Sequence, residues 1–187
     1  MVKVSALFVR KDSIYKKMGV DSWDIERDAK KWTGGNPIIA HPPCRAWGKL
    51  KGLAKPIEGE KELATWSIHM VRKFGGVLEH PRHSGLWKEM KLPVGTQIDE
   101  FGGFSISIDQ FWFGHKAKKE TLLYICGIEK DKLPIIPLRF DRIEYVVTTS
   151  SKYSNKKEIS SKEREATPEL LAKWLLSLAE NCKPNNN

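Results

Sequence analysis

The most restrictive feature of this sequence is that short apolar runs alternate with polar or helical stretches and stop at acids, histidines or prolines. The four earliest runs that predict strands are Val2–Val9, Val20–Asp24, Pro37–His41 and Val77–Glu79. Between the last two lies Glu58–Phe74, where apolar residues at three-to-four spacing predict an amphipathic helix. Strands that alternate with helical segments are typical of an α/β fold with a mostly parallel sheet.

The second half of the chain predicts a hairpin. Phe104–Phe113 and Thr121–Gly127 have strand composition and are joined by the basic stretch Gly114–Glu120. Ile135–Phe140 and Ile143–Thr149 are further predicted strands. The fold class expected from this order is α/β, a Rossmann-like, mostly parallel sheet with an antiparallel hairpin edge.

The C-terminal region is predicted to hold one loop, one helix and a tail. Lys152–Lys162 is rich in serine and lysine, which indicates a solvated loop or a contact with a phosphate backbone. Thr167 and Pro168 are suited to begin the last helix, because they fit the N-cap and first helical positions. Lys183–Asn187 is expected to be a disordered tail.

Length and composition indicate one domain. The chain has 187 residues, so residues 1–182 form a single domain of ordinary size, and nothing in the sequence suggests a membrane span or a cleaved signal. A cytoplasmic protein is expected. The three cysteines, Cys44, Cys126 and Cys182, contain no CxxC pair, which predicts reduced thiols rather than a disulfide framework.

The charge balance leaves two readings open. The formal net charge is +9, and a basic surplus suits a polyanionic partner such as nucleic acid or a nucleotide. The same surplus is also compatible with a role in solubility alone.

Polar side chains follow three of the predicted strands. Asp24, His41, Cys44 and Glu79 all lie where these strands end, and ligands of open α/β sheets bind at that edge. Cys44 follows Pro42-Pro43 and is either a nucleophile or a buried, inert thiol. Glu79 ends an apolar strand, so it needs a partner, and a plain salt bridge remains an alternative to a catalytic role.

Several motifs in order resemble a known family. Pro42-Pro43-Cys44 after an apolar strand, an amphipathic helix, and then Glu79-His80-Pro81 resemble the catalytic half of C5-cytosine DNA methyltransferases, above all the compact phage-encoded members. Asp109–His115 followed by Lys119-Glu120-Thr121 is similar to that family's Gln-x-Arg-x-Arg hairpin, and Glu165–Ala172 resembles its C-terminal helix. The resemblance implies a methyltransferase-like scaffold that acts on pyrimidines in DNA or as nucleotides, in a phage or its host cytoplasm.

The resemblance also implies roles for single residues. Cys44 would add to C6 of the pyrimidine, Glu79 would protonate or hydrogen-bond N3, and Lys119 would replace an arginine beside the glutamate. Asp24 would bind the ribose of S-adenosylmethionine, with Phe8, His41 and Pro42 on the same cofactor side. The residues expected at the substrate are Arg45, Trp47, His80, Gln110, His115 and Thr121.

Two departures from the family pattern matter. The stretch Ala6–Ser13, which corresponds to the family's glycine-rich cofactor motif, contains no glycine, so S-adenosylmethionine would bind differently, weakly or not at all. Residues 82–105 leave no room for a separate target-recognition domain, and recognition of a long specific site is not expected.

Other readings stay open. His41, His80 and His115 with Cys44 could form a zinc site, although neither HxxxH nor a paired CxxC supports it and no metal is expected. The tryptophans could stack on a base or belong to the core; those in question are Trp47, Trp87 and Trp112. Finally, the protein could be a catalytically silent Rossmann-like binder of a nucleotide or of a host defence protein.

Overall fold

A computed structural model describes residues 3–48, 55–147 and 156–185. Its centre is a six-stranded sheet with the strand order β2-β1-β3-β4-β6-β5. The strands are β1 Ser5–Leu7, β2 Asp21–Trp23, β3 Ile38–Ala40, β4 Gly76–Pro81, β5 Phe104–Asp109 and β6 Glu120–Cys126. The expected α/β, Rossmann-like fold is confirmed.

The strand directions confirm a mostly parallel sheet with a hairpin at one edge. Strands β1 to β4 run parallel to one another, whereas β6 pairs antiparallel with both β4 and β5. Strand β6 is therefore the one reversed strand among these six, and β5 forms the outer edge. The carboxyl ends of β1, β3 and β4 consequently meet at one rim of the sheet.

Helices cover both faces of this sheet. They are α1 Ile14–Lys17, α2 Glu60–Phe74, α3 Leu86–Glu89, α4 Ser161–Glu165 and α5 Glu169–Glu180. Helix α2 buries Ala64, Ile68 and Val71 in one apolar cluster, and α5 buries Leu171 and Leu175 in another. Because successive strand residues point to opposite faces, each inner strand contributes to both clusters.

The tight connection from α2 to β4 depends on glycine. Gly75 and Gly76 have φ values of 76° and 117°, a region that other residues rarely adopt. A Cβ atom on Gly76 would also lie 2.0 Å from the carbonyl oxygen of Ile38, its pairing partner on β3. The close approach of β3 and β4 at their amino ends therefore requires a residue without a side chain.

The predicted strand Ile135–Phe140 is wrong. This segment is irregular and exposes Ile135 and Phe140 by 93% and 90%. Pro134 and Pro137 lack the amide hydrogens that a sheet ladder needs, which explains why apolar composition does not produce a strand here.

The remaining C-terminal predictions are only partly correct. Of Ile143–Thr149, Tyr145–Val146 forms β7, while residues 148 and 149 lie outside the described residues. The predicted loop Lys152–Lys162 includes β8, Lys157–Glu158, which pairs with β7, and the start of α4; residues 152–155 lie outside the described residues. Ser160 begins α4 with a capping box, because its side chain and that of Glu163 bond each other's backbone amides.

The predicted disordered tail is wrong for the part that the structure describes. The Lys183 amide donates to the Gly127 carbonyl at 2.8 Å, and the Asn185 amide donates to the Lys73 carbonyl at 3.2 Å. Hydrogen bonds to two other segments dock residues 183–185 against the domain. Residues 186 and 187 lie outside the described residues.

The described cysteines are free thiols, as the sequence indicates: Cys126 and Cys182 are buried and Cys44 is exposed. Among the helices of the described ranges, none is long and apolar enough to cross a membrane.

Candidate functional site

A cleft of about 1180 Å³ opens at the carboxyl ends of β1, β3 and β4. Phe8, His41 and Glu79 line it from these three strand ends, and Cys44 lines it from the loop after β3. Lys119, just before β6, lines it as well. The structure thus brings together Cys44, Glu79 and Lys119, the three residues predicted to act in catalysis.

The carboxylate of Glu79 is held from two sides. His41 Nδ1 lies 3.1 Å from Glu79 Oε2, and Gln110 Nε2 donates to Glu79 Oε1 at 2.8 Å. Behind them, Tyr15 Oη lies 3.0 Å from His41 Nε2, and Gln110 Nε2 also donates to Thr121 Oγ1 at 3.1 Å. Glu79 is therefore the centre of a chain of side chains that crosses the rim from α1 to β6.

Local charges keep Glu79 ionised. Burial raises the pKa of Glu79, but the hydrogen bond from His41 and the positive charge of Lys119 outweigh it and lower the pKa to about 2. At neutral pH the group is a carboxylate that can accept hydrogen bonds from a ligand, and it holds no proton of its own to donate.

Cys44 lies on a braced loop. The residue precedes a 3₁₀ turn, Arg45–Trp47, whose last carbonyl accepts a hydrogen bond from the Gly85 amide at 2.9 Å. The Arg45 guanidinium donates to Glu60 at the start of α2, at 2.5 and 3.0 Å. The thiol is thus presented to the cleft by a loop that is tied to two other elements.

The thiol of Cys44 is not pre-ionised. Desolvation by neighbouring protein atoms and the negative charge of Glu79 raise its pKa, while the charge of Lys119 opposes them. Because the thiolate is the nucleophilic form, a reaction at Cys44 needs a proton acceptor, which the bound substrate can supply.

Lys119 has its backbone fixed and its ammonium available. Its amide donates to Asp109 Oδ1 at 2.9 Å, and its carbonyl accepts from the Gln110 amide at 3.1 Å. Across residues 3–48, 55–147 and 156–185, no carboxylate forms an ion pair with its side chain. The ammonium can therefore pair with a negative group of a ligand beside Cys44 and Glu79.

Three residues that the resemblance assigns to cofactor binding line the cleft, and the first of them lies in a segment that differs from a glycine loop. They are Phe8, His41 and Pro42. Phe8 has a φ of 58°, unusual for a residue with a large side chain, and its ring packs edge-on against Trp66 with centroids 5.8 Å apart. An aromatic residue in a strained conformation thus lies within Ala6–Ser13, the glycine-free stretch that corresponds to the family's glycine-rich motif.

Asp24 is not brought to the cleft. Its Oδ1 accepts from the amides of Glu26 and Arg27 at 3.0 and 3.1 Å, and its Oδ2 binds the Lys16 ammonium. The hydrogen bond from Lys16 lowers the pKa of Asp24 to about 2. With its carboxylate buried and bonded within its own chain, Asp24 does not fit a ribose of S-adenosylmethionine.

Five of the six predicted substrate residues lie outside the cleft lining. Arg45 lines the cleft, but the other five are buried behind it: Trp47, His80, Gln110, His115 and Thr121. Gln110 and Thr121 act through Glu79, as described above, whereas the remaining three pack into the interior.

Strand alternation and local hydrogen bonds explain why these three side chains are buried. His80 follows Glu79 on β4, so it faces the opposite side of the sheet, where its ring lies 6.3 Å from that of Trp87. The Trp47 indole donates to the Lys61 carbonyl at 3.2 Å within the α2 cluster. His115 Nδ1 lies 2.6 Å from the carbonyl oxygen of Ala117 in its own turn.

The other tryptophans do not reach the cleft either. Trp87 is buried and its indole donates to the Pro81 carbonyl at 2.8 Å. Trp112 lines a separate cavity of about 470 Å³ beside the hairpin. In the described parts of the chain, no three histidine, cysteine or acidic side chains converge as metal ligands would.

Sequence reasoning missed two parts of the site. Tyr15 reaches the cleft from a four-residue helix whose periodicity is too short to detect. Helix α4 borders the cleft through ion pairs, with Arg10 to Glu165 at 2.8 Å and Lys162 to Asp12 at 3.4 Å. These contacts join residues far apart in the chain, and no local pattern signals them.

No known protein-family model matches this chain, and no curated protein is significantly similar to it. The chemistry of the cleft residues is therefore the basis for a functional assignment.

Proposed function

We propose that the protein is a pyrimidine-directed, base-modifying enzyme in which Cys44 is the nucleophile and Glu79 binds the ring. One observation carries this proposal: an exposed cysteine and an oriented, ionised carboxylate line the same cleft, which Lys119 also lines. A plain salt bridge would not need Glu79 to be held also by the amide of Gln110 at the end of a strand.

The chemistry is a conjugate addition. The sulfur of Cys44 forms a bond to C6, the C5=C6 π pair moves to form C4=C5, the N3=C4 π pair moves onto N3, and N3 gains the proton that the thiol loses. N3–H and the 4-amino group of a cytosine adduct are adjacent donors, which suits the carboxylate of Glu79. The raised pKa of Cys44 fits a thiol that loses its proton only when a ring accepts one.

The adduct makes C5 nucleophilic. In water C5 exchanges its hydrogen, and with a one-carbon donor it would be alkylated, which is the methyl transfer that the family resemblance implies. S-adenosylmethionine is the donor that this resemblance implies. The carboxylate of Asp24, which is bonded within its own chain, and the glycine-free loop argue against its usual binding mode.

We propose DNA or a pyrimidine nucleotide as the substrate. The proposed location is the cytoplasm, within a host cell if the gene is phage-encoded.

Hydrogen exchange tests the addition step without any cofactor. Cytosine tritiated at C5, as dCMP and within a DNA oligonucleotide, should release tritium to water with the wild-type protein. Cys44→Ser should abolish the release and Glu79→Gln should reduce it, whereas Cys182→Ser, at a remote buried thiol, should retain it. Equal release from wild type and Cys44→Ser would refute the proposal.

The second candidate is a silent scaffold that binds a nucleotide or a host defence protein. The buried, hydrogen-bonded Asp24 favours this candidate, because a protein without a cofactor site cannot transfer a methyl group from S-adenosylmethionine. Calorimetry with dCMP, together with a cell-based assay of Cys44→Ser, separates the two candidates. Binding without exchange, and full biological effect of Cys44→Ser, would favour the silent scaffold.

A further inference from the structure

Tyr15, His41 and Glu79 form a chain of hydrogen-bonding groups along the lining of the cleft. Tyr15 Oη lies 3.0 Å from His41 Nε2, and His41 Nδ1 lies 3.1 Å from Glu79 Oε2. Tyr15 is fully buried, and the side chains of His41 and Glu79 are 12% and 13% exposed. Neither Tyr15 nor this use of His41 belongs to the roles that the family resemblance implies.

The protons in this chain can be assigned from its chemistry. An ionised carboxylate only accepts, so Nδ1 of His41 must carry the hydrogen that it donates to Glu79. The other ring nitrogen, Nε2, faces the Tyr15 hydroxyl and accepts its hydrogen in the tautomer protonated at Nδ1. Burial and the charge of Glu79 raise the pKa of Tyr15 well above its usual value, so its hydroxyl remains a donor.

We infer that Tyr15 and His41 are positioning residues that fix Glu79 as an acceptor of N–H groups of the ligand. Tyr15 sets the tautomer of His41, and His41 sets the orientation of the carboxylate; neither needs to touch the substrate. This inference rests on the proposed function for its substrate, but the orientation of Glu79 is a property of the free protein.

The second carboxylate oxygen of Glu79, Oε1, is also held by a hydrogen bond from the protein. The Gln110 amide nitrogen donates to both Glu79 Oε1 and Thr121 Oγ1, and the Thr121 hydroxyl donates to the Lys119 carbonyl at 3.2 Å. Each carboxylate oxygen thus receives one internal donor and keeps lone pairs for the cleft. A ligand edge with adjacent N–H groups is accepted, whereas an edge of carbonyl oxygens is repelled.

The pH dependence of Glu79 involves every ionisable group around it. These groups come from α1, β3, the loop after β3, β4 and the segment before β6, and they are Tyr15, His41, Cys44, His80 and Lys119. Variants of Tyr15 and His41 leave Lys119 and Cys44 in place, so a change in Glu79 would report on the chain itself.

Three variants test the inference. Tyr15→Phe removes the tautomer-setting hydroxyl. His41→Asn keeps an N–H near the position of Nδ1, and His41→Gln places its amide farther out, near Nε2. The Glu79 carboxyl resonance is followed by ¹³C NMR against pH in the free protein, and tritium release is followed against pH with C5-labelled dCMP.

We expect Tyr15→Phe and His41→Gln to raise the pKa of Glu79 and to lower the exchange rate about tenfold, because each weakens a hydrogen bond to a charged group. The acid limb of the rate profile should move to higher pH in both. His41→Asn should recover most of the wild-type pKa and rate.

The inference is overturned if Tyr15→Phe leaves both the pKa and the profile unchanged, or if His41→Asn behaves like His41→Gln. Circular dichroism identifies any variant that fails to fold. If a His41 variant fails, Tyr15→Phe decides, and if Tyr15→Phe fails, the comparison of the two His41 variants decides. If wild type releases no tritium, the proposed function fails, yet the NMR titration still decides the role of Tyr15 and His41.

Discussion

Glu79 and His80 are neighbours on β4, but their side chains lie on opposite faces of the sheet. Glu79 faces the cleft with Oε2 3.1 Å from His41 Nδ1, whereas His80 is completely buried with its ring beside Trp87. The alternation of a strand therefore assigns one residue to the site and the next to the core, although the two share one motif.

The buried His80 should make the protein sensitive to mild acid. Burial lowers the pKa of His80 from 6.5 to about 4, although the charge of Glu79 opposes this shift. Between these pH values the unfolded state binds a proton on this residue and the folded state does not. The contribution of the neutral His80 to the free energy of unfolding is therefore fully present above pH 6.5 and is lost as the pH falls towards 4. Between pH 7 and 5 the loss should be about 2 kcal/mol.

His80→Phe removes this titration while keeping an aromatic ring in the site. Urea unfolding at pH 7, 6 and 5 should show a smaller decline in the free energy of unfolding for the variant than for wild type. Equal declines in the two proteins would contradict the assignment of a neutral, buried His80.

Asp24 should contribute to stability rather than to cofactor affinity. Asp24→Ala leaves two backbone amides and the Lys16 ammonium without their acceptor, and loss of such a cap costs ~1–2 kcal/mol. Asp24→Asn keeps an oxygen for the amides, so its loss should be smaller. Urea unfolding measures both variants at pH 7.

The acid dependence of this contribution has a defined sign. The pKa of Asp24 is lowered from 3.8 to about 2, so its contribution is present above pH 3.8 and disappears as the pH falls through 2. A loss of nucleotide or S-adenosylmethionine binding in Asp24→Asn, with unchanged stability, would instead restore the ribose role.

Local patterns predict the scaffold of this fold well. The period of α2 and the apolar runs that stop at His41 and Glu79 are visible in the sequence, and parallel strands bring their carboxyl ends together. That is sufficient to place Cys44 and Glu79 at one rim. Composition fails at Ile135, where prolines on both sides prevent a ladder despite the apolar character.

The residues that support Glu79 and border the cleft are harder to predict, because their contacts span long sequence distances. Arg10 and Glu165 are 155 residues apart, and Tyr15 meets His41 from a helix of only four residues. Motif resemblance also cannot distinguish a residue that lines a cleft from one behind it. Gln110 belongs to the matched hairpin, yet it reaches the site only through Glu79.

Gly76 should be one of the least replaceable glycines. An alanine Cβ would overlap the Ile38 carbonyl oxygen in addition to adopting an unfavourable φ, so Gly76→Ala should destabilise the fold by more than ~3 kcal/mol or prevent folding. Gly19 also has a positive φ, 72°, but open space around it, so Gly19→Ala should cost only ~1 kcal/mol. Similar losses in thermal unfolding would show that backbone strain, and not the β3–β4 contact, is the cause.

The reactivity of Cys44 should report the opposing charges of Glu79 and Lys119. The Glu79 charge raises the pKa of the thiol and the Lys119 charge lowers it, so Glu79→Gln should speed alkylation and Lys119→Met should slow it. Both changes should appear as opposite shifts of the Cys44 alkylation rate at pH 7.5. Iodoacetamide labelling followed by peptide mass spectrometry measures the rate at each thiol separately.

Burial raises the pKa values of Cys126 and Cys182 to about 12, so these two thiols should label far more slowly in every variant and serve as internal controls. If both variants change the Cys44 rate in the same direction, solvent access rather than charge controls the thiol.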